Sequence, residues 1–258
     1  MILAIPFGLA IGAVVGTVGG GGAILALPVL VYVLDQGVSP ASTASLIVVA
    51  ISASVGAGSQ ARDGQLCWRV ALTFSLPAAL GAYLGTLLNG SVSGRTLILA
   101  FVPVMLAAAV LTHLRGDTDE NGDGSTDCPR PGILQAGGSG IAVGAMTGFF
   151  GVGGGFLIVP ALTTLLGLGM RRAIATSLAI ITLTGLAALA SHLIEGAEPD
   201  WTLTLVLGGA AAGGALAGSS IGRRLPPRKL SHAFGLVVVL VAFFLLIDVL
   251  ALGGPPVG

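Results

Sequence analysis

The sequence predicts an all-α integral membrane protein built from two inverted repeats of about five hydrophobic segments each. Hydrophobic residues make up 54% of the 258 residues and charged residues only 9%, which is too few for a water-soluble surface. A glycine-rich phrase from Gly16 to Pro28 recurs 132 residues later, from Gly148 to Pro160, so the chain is a duplication. Duplicated membrane units with broken hydrophobic segments are typical of secondary transporters, which bind their substrate where the breaks meet.

Turn signals divide the apolar sequence into five segments per repeat. They cover residues 2–18, 23–34, 41–58, 68–88 and 96–114, then 133–149, 155–168, 172–194, 201–222 and 230–252. The second segment of each repeat is short and reaches only part of the way across a hydrocarbon core about 30 Å thick. We therefore expect glycine-broken short helices or re-entrant hairpins that meet near the midplane. The predicted organisation is a first transmembrane repeat (1–115), an acidic cytoplasmic linker (116–132) and a second transmembrane repeat (133–258).

The basic residues predict the orientation of the chain. If each glycine break returns the chain to the side it came from, every lysine and arginine except Arg95 falls on one side. A break in the middle of one continuous crossing would divide these charges far more evenly. The positive-inside rule favours the first arrangement, with cytoplasmic basic loops and both termini outside a plasma membrane.

The two glycine breaks are the candidate binding site for an anion. Unpaired backbone groups cost several kcal/mol each in hydrocarbon, so the breaks must face something polar. A helix that begins after a break, at Ala23 or Gly155, offers N–H groups and a partial positive charge. The predicted substrate-binding glycines are Gly19, Gly20, Gly21, Gly22, Gly151, Gly153, Gly154 and Gly155. The alternative explanation is that these glycines only allow close helix packing.

Hydroxyl groups near the start of the third and eighth segments are further candidates. Ser45, Thr176 and Ser177 can cap these helices or donate a hydrogen bond to a substrate oxygen, and the sequence leaves both roles open. Asp248 is the only acid deep in an apolar segment, where it could reach the interface or move protons.

The residue types in the apolar segments and the net charge argue against several classes of protein. No nucleophile–base pair, metal triad or paired acids occur in the apolar segments, so we predict no enzyme activity, no metal and no cofactor. The net charge of zero gives no reason to expect a nucleic-acid partner. The expected partners are a small anionic substrate and the lipid bilayer, and a homo-oligomer is left open.

Two features of the connecting sequences carry separate predictions. Cys67 and Cys128 lack metal-ligand spacing and are predicted to be free thiols. The loop from Asp117 to Cys128 resembles the start of an EF-hand calcium loop but has no glutamate at the twelfth position. We therefore predict a solvated linker there, with calcium binding as the alternative.

Both copies of the glycine phrase together resemble a known family. The phrases Gly16-x-x-Gly19-Gly-Gly-Gly22-x5-Pro28 and Gly148-x-x-Gly151-x-Gly153-Gly-Gly155-x4-Pro160 are similar to those of the sulfite exporter TauE/SafE family of membrane permeases. The resemblance implies a multi-pass carrier for small sulfur-containing anions such as sulfite or organosulfonates, with the paired motifs at its central site.

The two copies are not identical, and the differences predict an asymmetric site. Phe149 and Phe150 stand where the first copy has Thr17 and Val18, so we expect these aromatic rings to shape one side of the site. Gly20 and Ala23 correspond in the same way to Val152 and Gly155.

We expect transport by alternating access, in which one bundle rocks against the other. An anion channel of the same architecture is one alternative. A non-transporting membrane sensor or scaffold is another, although the longest polar stretch, around 115–132, is too short to fold into a partner-binding domain.

Overall fold

The computed structural model describes residues 3–89, 94–118, 128–129, 132–150, 155–194 and 199–247, and every regular element in these ranges is helical. The first repeat contains α1 (Ala4–Val18), α2 (Ala23–Pro28), α3 (Val38–Arg62), α4 (Trp68–Asn89) and α5 (Gly94–Thr118). The second contains α6 (Ile133–Phe150), α7 (Gly155–Thr164), α8 (Met170–Ile194), α9 (Trp201–Arg224) and α10 (Pro227–Ile247). Each predicted segment corresponds to one of these helices, so the all-α prediction is confirmed.

Several helices have the length and composition of membrane spans. Among the described residues, the stretches Pro40–Arg62, Met170–Ala190, Trp201–Arg224 and Pro227–Ile247 are long and apolar enough to cross a bilayer. Large apolar side chains also face outward, as at Leu76 (73% exposed) and Phe243 (61% exposed). An exposed surface of this kind suits contact with lipid rather than with water.

Two helix pairs join the repeats through glycine. In the first pair, glycines of α1 lie against backbone carbonyls of α9; in the second, glycines of α6 lie against those of α4. The contacts are Gly8, Gly12 and Gly16 with Leu207, Ala211 and Ala215, and Gly140, Gly144 and Gly148 with Phe74, Ala78 and Ala82. A Cβ added at Gly12 or at Gly144 would lie 2.8 Å from the Cα of Ala211 or of Ala78. No side chain fits at these positions, so the glycines allow the backbones to pack closely.

Helices α3 and α8 occupy equivalent places in the two repeats and pack against each other. A Cβ added at Gly56 would lie 3.1 Å from Cδ1 of Leu178, and one added at Gly185 would lie 3.7 Å from Cβ of Ala50. Gly56, the later of the two α3 residues, contacts Leu178, the earlier of the two α8 residues. The two helices therefore run in opposite directions.

Each glycine break is followed by a reversal of the chain. In the second repeat, Nε2 of Gln135 near the start of α6 donates to the carbonyl oxygen of Leu165, just after the end of α7 (2.7 Å). In the first repeat, Ala4 at the start of α1 and Leu30 after α2 belong to the same buried cluster. The pair α6 and α7 therefore begins and ends at the same end of the molecule, and the start of α1 shares one buried cluster with the residues after α2.

Basic residues from separate elements gather at one end of the bundle. Nη1 of Arg223, near the end of α9, is 2.9 Å from Oδ2 of Asp63, just after α3. Nη2 of Arg171, at the start of α8, donates to the carbonyl oxygen of Leu225 (2.8 Å). We call this the basic end.

The linker predicted for residues 116–132 falls mostly outside the described residues, and α5 extends into its start, to Thr118. The alternative of calcium binding at Asp117 to Cys128 involves residues 119–127, which also lie outside them. Asp248, the acid for which the sequence suggests an interfacial or proton-transfer role, also lies outside the described residues.

Candidate functional site

The two glycine breaks meet inside the bundle. Gly20 in the first break lies against Gly155 at the start of α7 so closely that a Cβ added at Gly20 would overlap the Gly155 carbonyl group. A Cβ added at Gly155 would in turn lie 2.9 Å from the carbonyl oxygen of Gly20 and 3.1 Å from Cδ1 of Ile181. Only two glycines allow this approach, so both are required by the backbone contact.

Gly19 makes the turn that reverses the chain at the first break. Its φ of +75° lies in the left-handed region, which glycine adopts without the cost that a Cβ imposes. A Cβ there would also lie 2.7 Å from Oγ of Ser177 and 3.4 Å from Cγ2 of Ile174. The structure thus brings Gly19, Gly20, Gly155 and Ser177 together, four of the residues predicted from sequence.

The first break is a turn of 3-10 helix over Gly19–Gly22 rather than an open gap. The N–H of Ala23, expected to be free for a ligand, donates to the carbonyl oxygen of Gly20. Gly21 belongs to the same turn, and Gly22 lies against the backbone of Val15 in α1, where a Cβ would come 2.8 Å from the Val15 Cα. The first break therefore offers fewer free donors than the sequence suggests.

The second break is described only from Gly155 onward. Gly151, Gly153 and Gly154, all predicted to bind substrate, lie outside the described residues. Helix α7 begins at Gly155, and the N–H groups of its first turn have no acceptor within the helix. This helix start carries the partial positive charge of the helix dipole at the meeting point of the two breaks.

The predicted hydroxyl residues differ in what they bond. Ser177 is fully buried, and its Oγ donates to the carbonyl oxygen of Ile174 in its own helix (2.8 Å). Ser45 is half-buried and bonds to the carbonyl oxygen of Ser42 in the same way (2.8 Å). Thr176 is fully buried, and its Oγ1 accepts the backbone N–H of Cys67 (3.2 Å). Thr176 thus connects α8 to the start of α4, while Ser177 is the hydroxyl residue beside Gly19.

A polar cavity of about 280 Å³ lies between the first break and the basic end. Thr17, two residues before Gly19, lines it together with Ile174, which also lies beside Gly19. Its polar walls and rim come from Gln60, Asp63, Gln65, Arg171 and Arg223. Because Asp63 is paired with Arg223, Arg171 leaves the cavity with an excess of positive charge. An anion that enters from the basic end would meet this charge before it reaches the break.

Aromatic rings stand beside the second break. The ring of Phe150 lies edge-on to Phe149 and tilted against Phe101, with centroids 5.2 and 5.1 Å apart, and Phe101 lies edge-on to Phe156 at 5.1 Å. Aromatic pairs at these distances pack favourably. The first break has a polar cavity and the second has this aromatic cluster, as the differences between the two glycine phrases suggest.

Sequence reasoning missed Gln60 and Arg171 as cavity residues. Gln60 is a polar residue with only 7% of its surface exposed, at the end of a helix that reads as apolar. A buried amide of this kind is the signal that could have identified the cavity from the α3 sequence. Arg171 could not be found in this way, because a basic residue at a helix end reads equally well as a topology signal.

The prediction of free thiols is wrong. Cys67 and Cys128 form a disulfide, with their Cα atoms 5.7 Å apart. Cys67 directly precedes α4 and Cys128 lies in the linker, so the bond joins two parts of the chain 61 residues apart. Sequence spacing does not reveal such a pairing, because it depends on where the helices place the two ends.

An all-helical bundle with membrane-length apolar helices and two glycine breaks that meet inside it has the architecture of a membrane transporter. The chain belongs to the TauE/SafE family: the model of the family described as "Sulfite exporter TauE/SafE" matches residues 4–245. Two relatives from Xylella fastidiosa strains 9a5c and Temecula1, each a "Probable membrane transporter protein", are 34% and 33% identical over 95% of both chains. A probable membrane transporter protein of Methanocaldococcus jannaschii is 25% identical over 76% of this chain and 75% of its own. No solved structure matches the chain significantly.

Proposed function

We propose that this protein is a secondary carrier for small sulfur-containing anions, such as sulfite or organosulfonates. The observation that carries the proposal is the contact of Gly20 with Gly155 next to a polar cavity with an arginine at its rim. The start of α7 favours an anion at the contact between the breaks, and the charge of Arg171 favours an anion in the cavity. The family description names sulfite, which supports a sulfur oxyanion as the substrate.

We further propose that the two repeats are inverted and exchange access by rocking. Equivalent helices α3 and α8 run in opposite directions, as the contacts of Gly56 with Leu178 and of Gly185 with Ala50 indicate. The glycine contacts of α1 with α9 recur at equivalent positions between α6 and α4. An inverted pair of this kind can exchange its two conformations, so that the site faces each side in turn.

In the proposed orientation the basic end faces the cytoplasm of a plasma membrane and both termini lie outside. The support is the positive-inside rule together with the gathering of Arg171 and Arg223 at one end. The cavity between the first break and this end then opens toward the cytoplasm. A substrate such as bisulfite carries its own proton, so the carrier does not need a proton relay of acidic side chains.

The contact between the breaks favours a carrier over an anion channel. There is no space for a methyl group between Gly20 and the Gly155 carbonyl, and therefore none for a sulfite ion. A substrate that passes this point requires the two breaks to separate. A carrier makes that movement once in each transport cycle, whereas an open channel would need a lasting gap.

The experiment is flux into proteoliposomes that contain the purified protein. Sulfite, thiosulfate, a short alkyl sulfonate and acetate are offered one at a time, and empty liposomes are the control. We expect saturable flux of the sulfur oxyanions and no flux of acetate. Current that does not saturate at low millimolar substrate would identify a channel instead. The absence of flux for all four would refute the proposed substrate class and favour the scaffold alternative.

A further inference from the structure

The disulfide between Cys67 and Cys128 has a cationic neighbour. Nη1 of Arg172 lies 3.1 Å from Sγ of Cys128 and 3.7 Å from Sγ of Cys67, within hydrogen-bonding distance of both sulfurs. A neutral disulfide gains little from a guanidinium group at this position. A thiolate formed from it would gain a charge-assisted hydrogen bond.

The two sulfurs differ in access and in surroundings. Cys67 is 1% exposed, whereas Cys128 is half-buried, so a nucleophile reaches Cys128 more easily. The carbonyl oxygen of Cys67 accepts the N–H of Ala71 (2.9 Å), which makes Cys67 the capping residue directly before α4. The start of a helix of 22 residues stabilises negative charge on the Cys67 sulfur and so distinguishes it from the Cys128 sulfur. Arg172 lies nearer to Cys128 but is also within hydrogen-bonding distance of Cys67.

The bond also lies at the basic end, next in sequence to two residues that line the cavity. Gln65, which lines the cavity, is two residues before Cys67, and Arg171, at its rim, precedes Arg172. An anion drawn to the positive charge of the basic end is therefore concentrated at the end of the molecule that carries the disulfide. In the orientation proposed above, this end faces the reducing cytoplasm, where lasting structural disulfides are rare and most disulfides act in sensing or catalysis.

We propose that Cys67, Cys128 and Arg172 form a reactive site at which sulfite opens the disulfide. The sulfur lone pair of sulfite forms a bond to Sγ of Cys128, and the bond between the two cysteine sulfurs breaks. Its electron pair remains on Sγ of Cys67 as a thiolate, which Arg172 and the start of α4 stabilise. The products are one S-sulfonate on Cys128 and one thiolate on Cys67, so the two negative charges of sulfite are conserved and no oxidant is needed.

This reaction would connect the substrate to the first glycine break. The backbone N–H of Cys67 bonds to Thr176, the neighbour of Ser177, which lies beside Gly19. Opening the disulfide removes the covalent tie between the start of α4 and the linker next to this bond. The choice of sulfite as the nucleophile and the cytoplasmic position of the bond rest on the proposed function, whereas the contacts of Arg172 with the two sulfurs do not.

The test uses the purified full-length protein and needs no transport. The protein is incubated with sulfite, its free thiols are alkylated, and peptide mass spectrometry locates each product. We expect an added SO₃ group on Cys128 and an alkylated thiol on Cys67. The reverse assignment would overturn the proposal, as would an unreactive disulfide under conditions in which sulfite opens the same bond in the unfolded protein.

The role of Arg172 is tested by the rate of the same reaction. We expect Arg172→Gln to slow the opening at least tenfold, because a charge-assisted hydrogen bond is worth about 1.4 kcal/mol or more. Arg224→Gln is the matched control, since Arg224 lies at the same end but contacts neither sulfur and does not line the cavity. Equal rates in the two variants would refute the role of Arg172. The location of the adduct in the wild-type protein tests the site even if Arg172→Gln fails to fold.

Discussion

Replacing Gly20 by alanine should separate the two glycine breaks. A Cβ at this position would lie 2.9 Å from the Cα of Gly155 and closer still to its carbonyl group, whereas ordinary contacts begin at about 3.4 Å. The contact with the Gly155 Cα alone requires the backbone of the first break to move about half an ångström away from α7, and the closer carbonyl group requires a larger movement. Overpacking of this kind costs about 1–3 kcal/mol, and more where both partners are backbone.

The matched control is Gly58→Ala in α3, where an added Cβ meets nothing within 4 Å. Alanine is favoured over glycine inside a helix by about 0.5–1 kcal/mol, so this variant should be as stable as the wild type or slightly more stable. Thermal unfolding in lipid nanodiscs and sulfite flux in proteoliposomes are measured for both variants. We expect Gly20→Ala to unfold at lower temperature and to transport slowly. If Gly20→Ala matches Gly58→Ala in both assays, the contact between the breaks does not exist as described.

Further substitutions test the helix packing, the role of Ser177 and a buried hydroxyl group. In Gly12→Ala and in Gly144→Ala the new Cβ would lie 2.8 Å from a backbone Cα of the neighbouring helix, so we expect similar losses in thermal stability. A loss at one position only would contradict the equivalence of the repeats. Ser177→Ala removes a hydroxyl that bonds within its own helix, which should cost at most about 1 kcal/mol of stability, yet flux should fall several-fold; unchanged flux would remove Ser177 from the site. Thr204→Val should raise stability by about 1 kcal/mol, because Oγ1 is buried without a hydrogen-bond partner among the described residues, and a lower unfolding temperature would contradict this.

The sequence predicts the helices well because lipid makes their pattern simple. Long apolar stretches between turn signals have one stable form in hydrocarbon, so the boundaries predicted for segments such as 68–88 and 201–222 differ from α4 and α9 by two residues or fewer. The duplication supplies the rest, since each repeat indicates what the other should contain.

The site is predicted less completely, because it depends on contacts between residues that are far apart in the sequence. Gly19, Gly20 and Gly155 are visible in the sequence because their density exceeds what packing needs, and the structure brings them together. The contact of Cys67 with Thr176 depends on how the α3–α4 connection crosses α8, and no local pattern encodes this. The disulfide has the same origin, which explains why residue spacing alone led to the wrong prediction of free thiols.

Glycine also has two roles here that sequence alone cannot separate. At Gly12 and Gly144 it lets helices pack against each other, and at Gly19 it supplies a positive φ for a reversal of the chain. Both roles require a glycine within a hydrophobic segment, so the two kinds of position look the same in the sequence. Only the φ angle of the glycine and the atoms around it, which require the structure, distinguish a packing glycine from one that shapes the site.

We propose that the two glycine breaks together hold the anion. The most direct test is a high-resolution structure of the protein in lipid nanodiscs with sulfite present. We predict density for a bound oxyanion beside Gly19 and Ser177, within hydrogen-bonding distance of the first-turn N–H groups of α7. An anion bound only to the arginines of the basic end, with no density beside Gly19, Ser177 and the start of α7, would contradict this assignment.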